Sequence, residues 1–571
     1  MRNAFRAAQW ALAAAVLVAL GAQAAPPDAR RRKKLIAIGW DQPNSERLLA
    51  NHMAMQRRPF DGVVARLEGR VDKTKRCPLH WAFLNRKWRR EWFQPCVRNL
   101  KACKLTRFTD NFILFGANPG DVDWFDDGGW REIVDHWRIA AWAARQAGFK
   151  GLGFDPEPYA PPHAAFKYAA QPRRDKHTFA EYCAQVRRRG REVMKAVCDE
   201  YPDVTLLCFF MNIAGATATG QADPRPALRP LTYGLYPAFI DGWLDVAPPG
   251  VKLVDGCEWS YLYNSTAQYL EAAALIRGAC QELVSPANRA KYRAQVQVGY
   301  GMYLDAYWNA KDSEWGRWYV DGKGGPRVER LRINVQTALR VADEYVWVYG
   351  EKFRWWPTPN PRVKAEAWPD ALPGCEKALR YARDPAGCAR AQMAADRKAG
   401  KRTNLARNGG FSSAKAPPSE LGPSADWRQG RPPAGWGAWQ DQKSTGTFTW
   451  DRQAAAGKGA ARAANVANGC FIQGCRVRPG ERYAVRAVRR VQGGGTTWVR
   501  IRWQTPEGKW TAETQDRVFY APGPGGEWGE IFGVVVVPES AGRLLILLGV
   551  GGQHGEGDAA WFDDVELHRI E

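Results

Sequence analysis

Between about residues 35 and 352, short apolar runs alternate with longer stretches whose apolar positions recur at helical spacing. The runs at 35–40, 62–67, 112–116, 151–155, 204–211, 252–257, 295–300 and 345–349 predict strands. Two intervening helices are the plainest. Over 130–147, Ile133, Val134, Trp137, Ala141 and Ala144 share one face, and over 178–201 Phe179, Tyr182, Val186 and Val193 form the inner stripe. Strand–helix alternation builds a parallel sheet, and eight such units in about 320 residues is the count and length of a (β/α)8 TIM barrel. A doubly wound open sheet is the alternative, but no GxGxxG follows the first strand. From about 357 the texture changes. Trp355-Trp356-Pro357 closes the barrel, a polar, Ala-rich stretch runs to 402, and the remainder is Gly-rich. Alternation at 482–488, 498–503, 531–537 and 544–550 predicts an all-β sandwich.

The expected division is a leader at 1–24, a barrel at 25–356, a linking and barrel-closing segment at 357–402 and the sandwich at 403–571. Arg2 and Arg6 precede an apolar run from Trp10 to Leu20, and Ala22-Gln23-Ala24 offers a cleavage-like site. That is the pattern of a secretory signal peptide. The run falls short of the ~20 apolar residues of a membrane span, so an exported chain, periplasmic or extracellular and without a membrane span, is expected. Its twelve cysteines suit an oxidising compartment. Candidate disulfides are Cys375/Cys388, Cys470/Cys475 and one pair among Cys77, Cys96 and Cys103. No CxxC pairs with a second CxxC or a His cluster, and none of the 7 His falls in HExxH, which argues against a metal.

Lys+Arg 82 against Asp+Glu 59 leaves a net charge of +23. Arg30-Arg31-Arg32-Lys33-Lys34 reads as a solvated tail and Arg187-Arg188-Arg189 as a solvated helix face. No nucleic-acid-binding motif is present, so the charge suits an anionic polysaccharide or cell surface instead. Nothing indicates an obligate oligomer, and a monomer is expected. The 27 Trp supply either flat binding platforms or core.

In a barrel of this type chemistry gathers at the carboxyl ends of the strands. In Gly151-Leu152-Gly153-Phe154-Asp155-Pro156-Glu157-Pro158-Tyr159, alternation sends Leu152 and Phe154 to the helices and Gly153, Asp155 and Glu157 to the barrel axis. Two neighbouring carboxyl groups resist double ionisation, which raises one of them toward general-acid range. The competing reading is a turn whose acids pair with nearby arginines. On the first strand Ala37, Gly39 and Asp41 are expected inward, with Ile36, Ile38 and Trp40 on the other face and Asp41 at the rim. The sixth strand ends at Glu258-Trp259, the seventh at Tyr300 and Asp305, and the eighth at Glu351, with Trp355 and Trp356 close behind. Carboxylates beside aromatics at four strand ends compose a sugar cleft, since rings stack on pyranose faces while carboxylates bind hydroxyls.

Asn404-Leu405, Asn408-Gly409-Gly410-Phe411, Gly435-Trp436 and Trp561-Phe562-Asp563-Asp564-Val565 resemble the opening and closing strands of jelly-roll carbohydrate-binding modules. The resemblance implies rings facing a glycan, with Trp427, Trp436, Trp439, Trp503 and Trp510 as candidates, and a structural calcium near the module's ends; such sandwiches also serve as spacers. The barrel resembles secreted (β/α)8 glycoside hydrolases, and its Asp155-x-Glu157 is similar to the fourth strand of family 18 chitinases. Their longer Asp-x-x-Asp-x-Asp-x-Glu run is absent, and no Asn-Glu pair ends this strand. The resemblance implies hydrolysis of glycosidic bonds by two carboxyl groups with no cofactor for catalysis. Glu157 is then the general acid and Asp155 its electrostatic neighbour. Glu258 leads as partner carboxylate, Glu351 and Asp305 follow, and Asp41, Trp40, Tyr159, Trp259, Tyr300 and Trp355 bind substrate. A non-catalytic glycan-binding protein with a degenerate barrel is the alternative. A secreted esterase lacks its Gly-x-Ser-x-Gly elbow here.

Overall fold

The structure is a computed structural model that describes residues 33–120, 123–161, 165–401, 403–413 and 432–570. The leader at 1–24 and Trp427 lie outside the described residues. The chain divides into two compact units between Arg383 and Asp384.

The first unit is a parallel α/β barrel. Its strands are β1 (Lys34–Gly39), β2 (Gly62–Ala65), β3 (Phe112–Gly116), β4 (Gly151–Asp155), β5 (Thr205–Cys208) and β6 (Lys252–Asp255). Then come β7, in two pieces (Val296–Val298 and Tyr300–Tyr303), and β8 (Tyr345–Gly350). Each strand pairs in parallel with its neighbour in sequence, and β8 returns to β1 with Ile36 opposite Trp347. The ring closes through the broken strand: Val296–Val298 pairs with β6, and Tyr300–Tyr303 pairs with β8. At the break the amide of Gly299 donates to the Asp255 carbonyl at 2.8 Å, and a Cβ there would lie 2.8 Å from Val254.

Helices cover the sheet where their apolar stripes dictate. Helix Asp127–Gln146 starts at Asp126, whose carboxylate accepts the Gly128 amide, and buries Trp130, Ile133, Trp137, Ala141 and Ala144. Helix Phe179–Glu200 is set by a reciprocal capping box between Thr178 and Glu181 and buries Phe179, Tyr182, Val186 and Val193. Leu152 and Phe154 face these helices, Phe154 packing against Trp137 and Trp243. Many tryptophans are core: Trp124, Trp130, Trp137, Trp243, Trp347 and Trp368 are fully buried. The Arg187-Arg188-Arg189 run is not a uniformly solvated face. Arg189 is buried, donating to the Trp124 carbonyl and pairing with Asp127, while Arg187 pairs with Asp245.

The 357–402 segment contains helices Trp368–Ala371 and Cys375–Arg383 in the first unit and Pro385–Lys398 in the second. Arg383 pairs with Asp61 and Glu376 with Arg58, so the barrel-closing helix is held by charge as well as packing.

The second unit packs two five-stranded antiparallel sheets. One runs Gly437–Gln440, Asn468–Arg476, Arg543–Gly551, Thr496–Gln504 and Arg517–Phe519; the other runs Thr447–Asp451, Ala460–Ala464, Ala559–Ile570, Arg482–Gln492 and Gly529–Val536. Alternate residues such as Val499, Ile501, Ile546 and Leu548 meet Val485, Ala487, Phe562 and Leu567 in a sandwich core. The opening and closing motifs lie together: Asn404 accepts the Leu567 amide and donates to the Val565 carbonyl. Of the candidate platforms, Trp436 and Trp503 are core, whereas Trp439 and Trp510 are exposed. Asp563, in the closing motif, accepts amides from Ala455, Ala456 and Asp564.

No disulfide joins any of the twelve cysteines, which corrects that expectation. Cys470 and Cys475 sit on one extended strand, Asn468–Arg476. Five residues of strand separate Cα atoms by about 16 Å, well beyond the ~7 Å a disulfide spans. Among the described residues no helix is long and apolar enough to cross a membrane.

Candidate active site

A cleft of about 700 Å³ opens at the carboxyl ends of the barrel strands. Asp155, Glu157, Glu258 and Glu351 line it, together with Trp40, Tyr159 and Trp259. Those three rings are 49%, 58% and 47% exposed, so each offers a flat face at the mouth.

Each carboxylate is placed by the strand beneath it. At the end of β4, Asp155 accepts the Glu157 amide at 3.0 Å, and the Tyr159 amide donates to Asn118 Oδ1 at 2.7 Å, tying this exit to that of β3. Glu157 Oε2 accepts the Tyr159 hydroxyl at 2.7 Å and Oε1 accepts that of Tyr233 at 3.3 Å. After β6 the chain must turn sharply. Buried Asp255 accepts the amides of Ile213 and Cys257, and Cys257 takes a left-handed conformation at φ 41°. Gly256 has no room for a Cβ, which would lie against the Cys208 carbonyl and 2.8 Å from Trp347 Nε1. This turn delivers Glu258 and Trp259 to the cleft. At the end of β8, Asp305 accepts the amides of Glu351 and Lys352 at 2.9 and 3.2 Å, and the Tyr303 hydroxyl donates to Glu351 at 2.9 Å.

Burial and mutual repulsion hold protons on this cluster. Burial first, then the Glu157 charge, pushes Asp155 well above the usual carboxylate range. Glu258 is raised by burial, then by Glu157 and Asp155. Burial raises Glu351 as well, against the Tyr303 hydroxyl and the Lys352 and Arg317 charges. Buried Asp305 is raised to about 6. The phenols of Tyr233, Tyr261, Tyr303 and Tyr349 are driven upward by burial and then by neighbouring charges, which keeps them hydroxyl donors.

Four expected residues are not in the cleft. Asp41 accepts the amides of Trp355 and Trp356 at 2.6 and 2.9 Å and pairs with Arg47 at 2.7 Å. Trp355 packs edge-on against Phe60 with Arg58 over its ring. Tyr300 turns toward helix Thr266–Arg277, donating to the Tyr269 carbonyl. Asp305 lies beneath Glu351 as its positioning partner. On β1 the expected faces are exchanged: Ile38 and Trp40 line the cleft, and Asp41 does not. Nearly all of β1 is buried, so alternation sets the period without choosing the face.

Several lining residues escaped the sequence reasoning. Tyr349 stands two residues before Glu351, so the same alternation identifies it. Arg66 directly follows β2 and was accessible to the strand-end rule. His80, Tyr233, Arg317 and Trp318 come from connections whose path no periodicity reports.

No family model matches the chain, and no curated protein matches its sequence. Among solved structures, the enzymatically active domain of bacteriophage CBA120 tailspike protein 4 aligns at TM-score 0.22 and 17% identity, over 29% of this chain and 22% of that one. Clostridium thermocellum endo-1,4-β-D-xylanase 10B, CBM22-1 and GH10 modules with xylohexaose, aligns at 0.21 and 16%, over 24% and 26%. TmCBM61 in complex with β-1,4-galactotriose aligns at 0.20 and 16%, over 30% and 100%. The match spans about a quarter of the first two structures. Likeness of this degree carries no argument about function, which rests on the site.

Proposed function

We propose that the cleft hydrolyses glycosidic bonds in a polysaccharide or glycan, without a cofactor, in an exported, monomeric protein. The meeting of Asp155, Glu157, Glu258 and Glu351 in one cleft rimmed by Trp40, Tyr159 and Trp259 carries this reading. Rings stack on pyranose faces, and two carboxyl groups suffice for acid-assisted cleavage. Their surroundings divide their roles. Glu258, half-buried beside the charge of Glu157, keeps a proton and passes it to the glycosidic oxygen as the C–O bond breaks. Glu157, held by two hydroxyls, is the carboxylate that attacks the anomeric carbon or takes the proton of the attacking water. The sequence-based order, with Glu157 as acid, is exchanged on these grounds. Asp155 fixes Glu157 through its amide.

Reducing-end release from neutral, acidic and amino polysaccharides tests the reading. Wild type releases ends from one class, and E157Q and E258Q each fall by about a hundredfold or more while still binding the polymer. Binding without release by wild type from any polymer would make this a glycan-binding protein instead.

A further inference from the structure

Where β2 and β3 end, the cleft is lined by three groups that the hydrolytic scheme leaves idle: Arg66, His80 and Asn118. Arg66 is only 8% exposed. Among the described residues its guanidinium has no carboxylate partner, and its side chain makes one hydrogen bond, from Nη2 to His80 Nε2 at 3.2 Å. Its Nε is buried without an acceptor. Arginine is always charged and only donates, so His80 Nε2 is the acceptor of that bond. Burial holds His80 down at about 4, so the imidazole is neutral and its single proton sits on Nδ1. Nδ1 is likewise buried with no partner. Asn118 spends its Oδ1 on the Tyr159 amide, which leaves its Nδ2 as a donor.

The corner therefore presents a full positive charge and an excess of N–H donors. An unmet buried donor destabilises the fold, and an unpaired buried charge does so more. A neutral hydroxyl would satisfy one donor and leave the charge uncompensated; an anion with two or three oxygens meets both needs. The carboxyl cluster elsewhere in the cleft keeps residual negative charge that disfavours such a group there, so it has one register in which to bind. The net charge of +23 draws polyanions toward the protein.

We propose that Arg66, His80 and Asn118 form a subsite for an anionic group on a sugar ring, a carboxylate or a sulfate ester, and that the substrate is an acidic glycan. The proposal rests on reading the cleft as a glycan site.

Retention of E157Q in affinity electrophoresis tests it, with matched neutral, uronate-bearing and sulfated galactans in the gel and E157Q/R66M alongside. E157Q is retained by an anionic polymer at least tenfold more strongly than by the neutral one, and R66M abolishes the preference, as expected for loss of a charge-assisted bond. Whichever polymer retains it names the anion. Competition gives a readout that needs no Arg66 variant: galacturonate or galactose 6-sulfate releases the protein at concentrations at least tenfold below those of galactose. Equal retention by neutral and anionic polymers, a preference that survives R66M, or equal competition overturns the subsite and leaves the glycan reading standing. Retention by no polymer, with no reducing ends released from any, removes both.

Discussion

Glu258 sets the pH behaviour at the scale of single residues. Burial and the charges of Glu157 and Asp155 raise it well above the usual carboxylate range, so the acid it supplies survives to higher pH than an exposed glutamate allows. Turnover is expected to fall on the alkaline side as Glu258 loses its proton, and E258Q removes that limb along with most of the rate. The same shift has a stability consequence of fixed sign. The folded state binds this proton more tightly than the unfolded chain, whose glutamate titrates near 4.5. Stability from this group therefore decreases as pH rises from about 4.5 toward the raised value, and levels off above it. E258Q, which carries no charge to bury, is expected to melt above wild type at pH 8 and to lose that advantage at pH 4. Melting curves across this range check it, and an advantage that does not change with pH overturns the assignment.

At the scale of elements, the turn after β6 matters most. Gly256 lies against Cys208 and Trp347, Cys257 is left-handed, and Asp255 pins both neighbouring segments. G256A inserts a methyl where backbone and indole already meet, so the turn must shift and carry Glu258 with it. Expected are a loss of turnover of about a hundredfold, the scale at which ~1 Å misplacement acts, and a smaller stability change of about 1–3 kcal/mol. Kinetics and denaturant melts on one preparation separate the two, and normal turnover would sink this role for the turn. Much of this architecture was legible. The bounds of β3 and β4 coincide with their apolar runs, and carboxylates at the ends of β4, β6 and β8 announced the cleft. The face of β1 was not legible, because burial on both sides of a barrel strand leaves alternation without a reference. Nor was the break at Gly299, where a Cβ would press on Val254 of the neighbouring β6. Asp41 carried the strand-end signature yet serves Arg47 and two backbone amides, a role that depends on chain more than 300 residues away. Arg66, His80 and Tyr233 come to line one cleft only through tertiary approach.

For the whole molecule, the question is what stabilises a chain with twelve cysteines and no disulfide. Each unit has its own core: Trp, Phe and Leu between helices and barrel in the first, and interleaved sheet faces in the second. The thiols belong to those cores. Burial pushes Cys77, Cys375 and Cys470 up to about 12, and Cys103 to about 11. Disulfide exchange needs thiolate, so such groups react slowly even in an oxidising compartment. Folding is therefore expected to be indifferent to redox conditions. The melting temperature stays within about 1 °C with and without reductant, whereas losing a native disulfide removes about 2–5 kcal/mol. Thiol titration of the denatured, unreduced protein counts twelve, and the native protein reacts far more slowly. A fall of several degrees on reduction, with fewer than twelve thiols titrating, would instead place cross-links among these cysteines and shift part of the stability from the cores to covalent bonds.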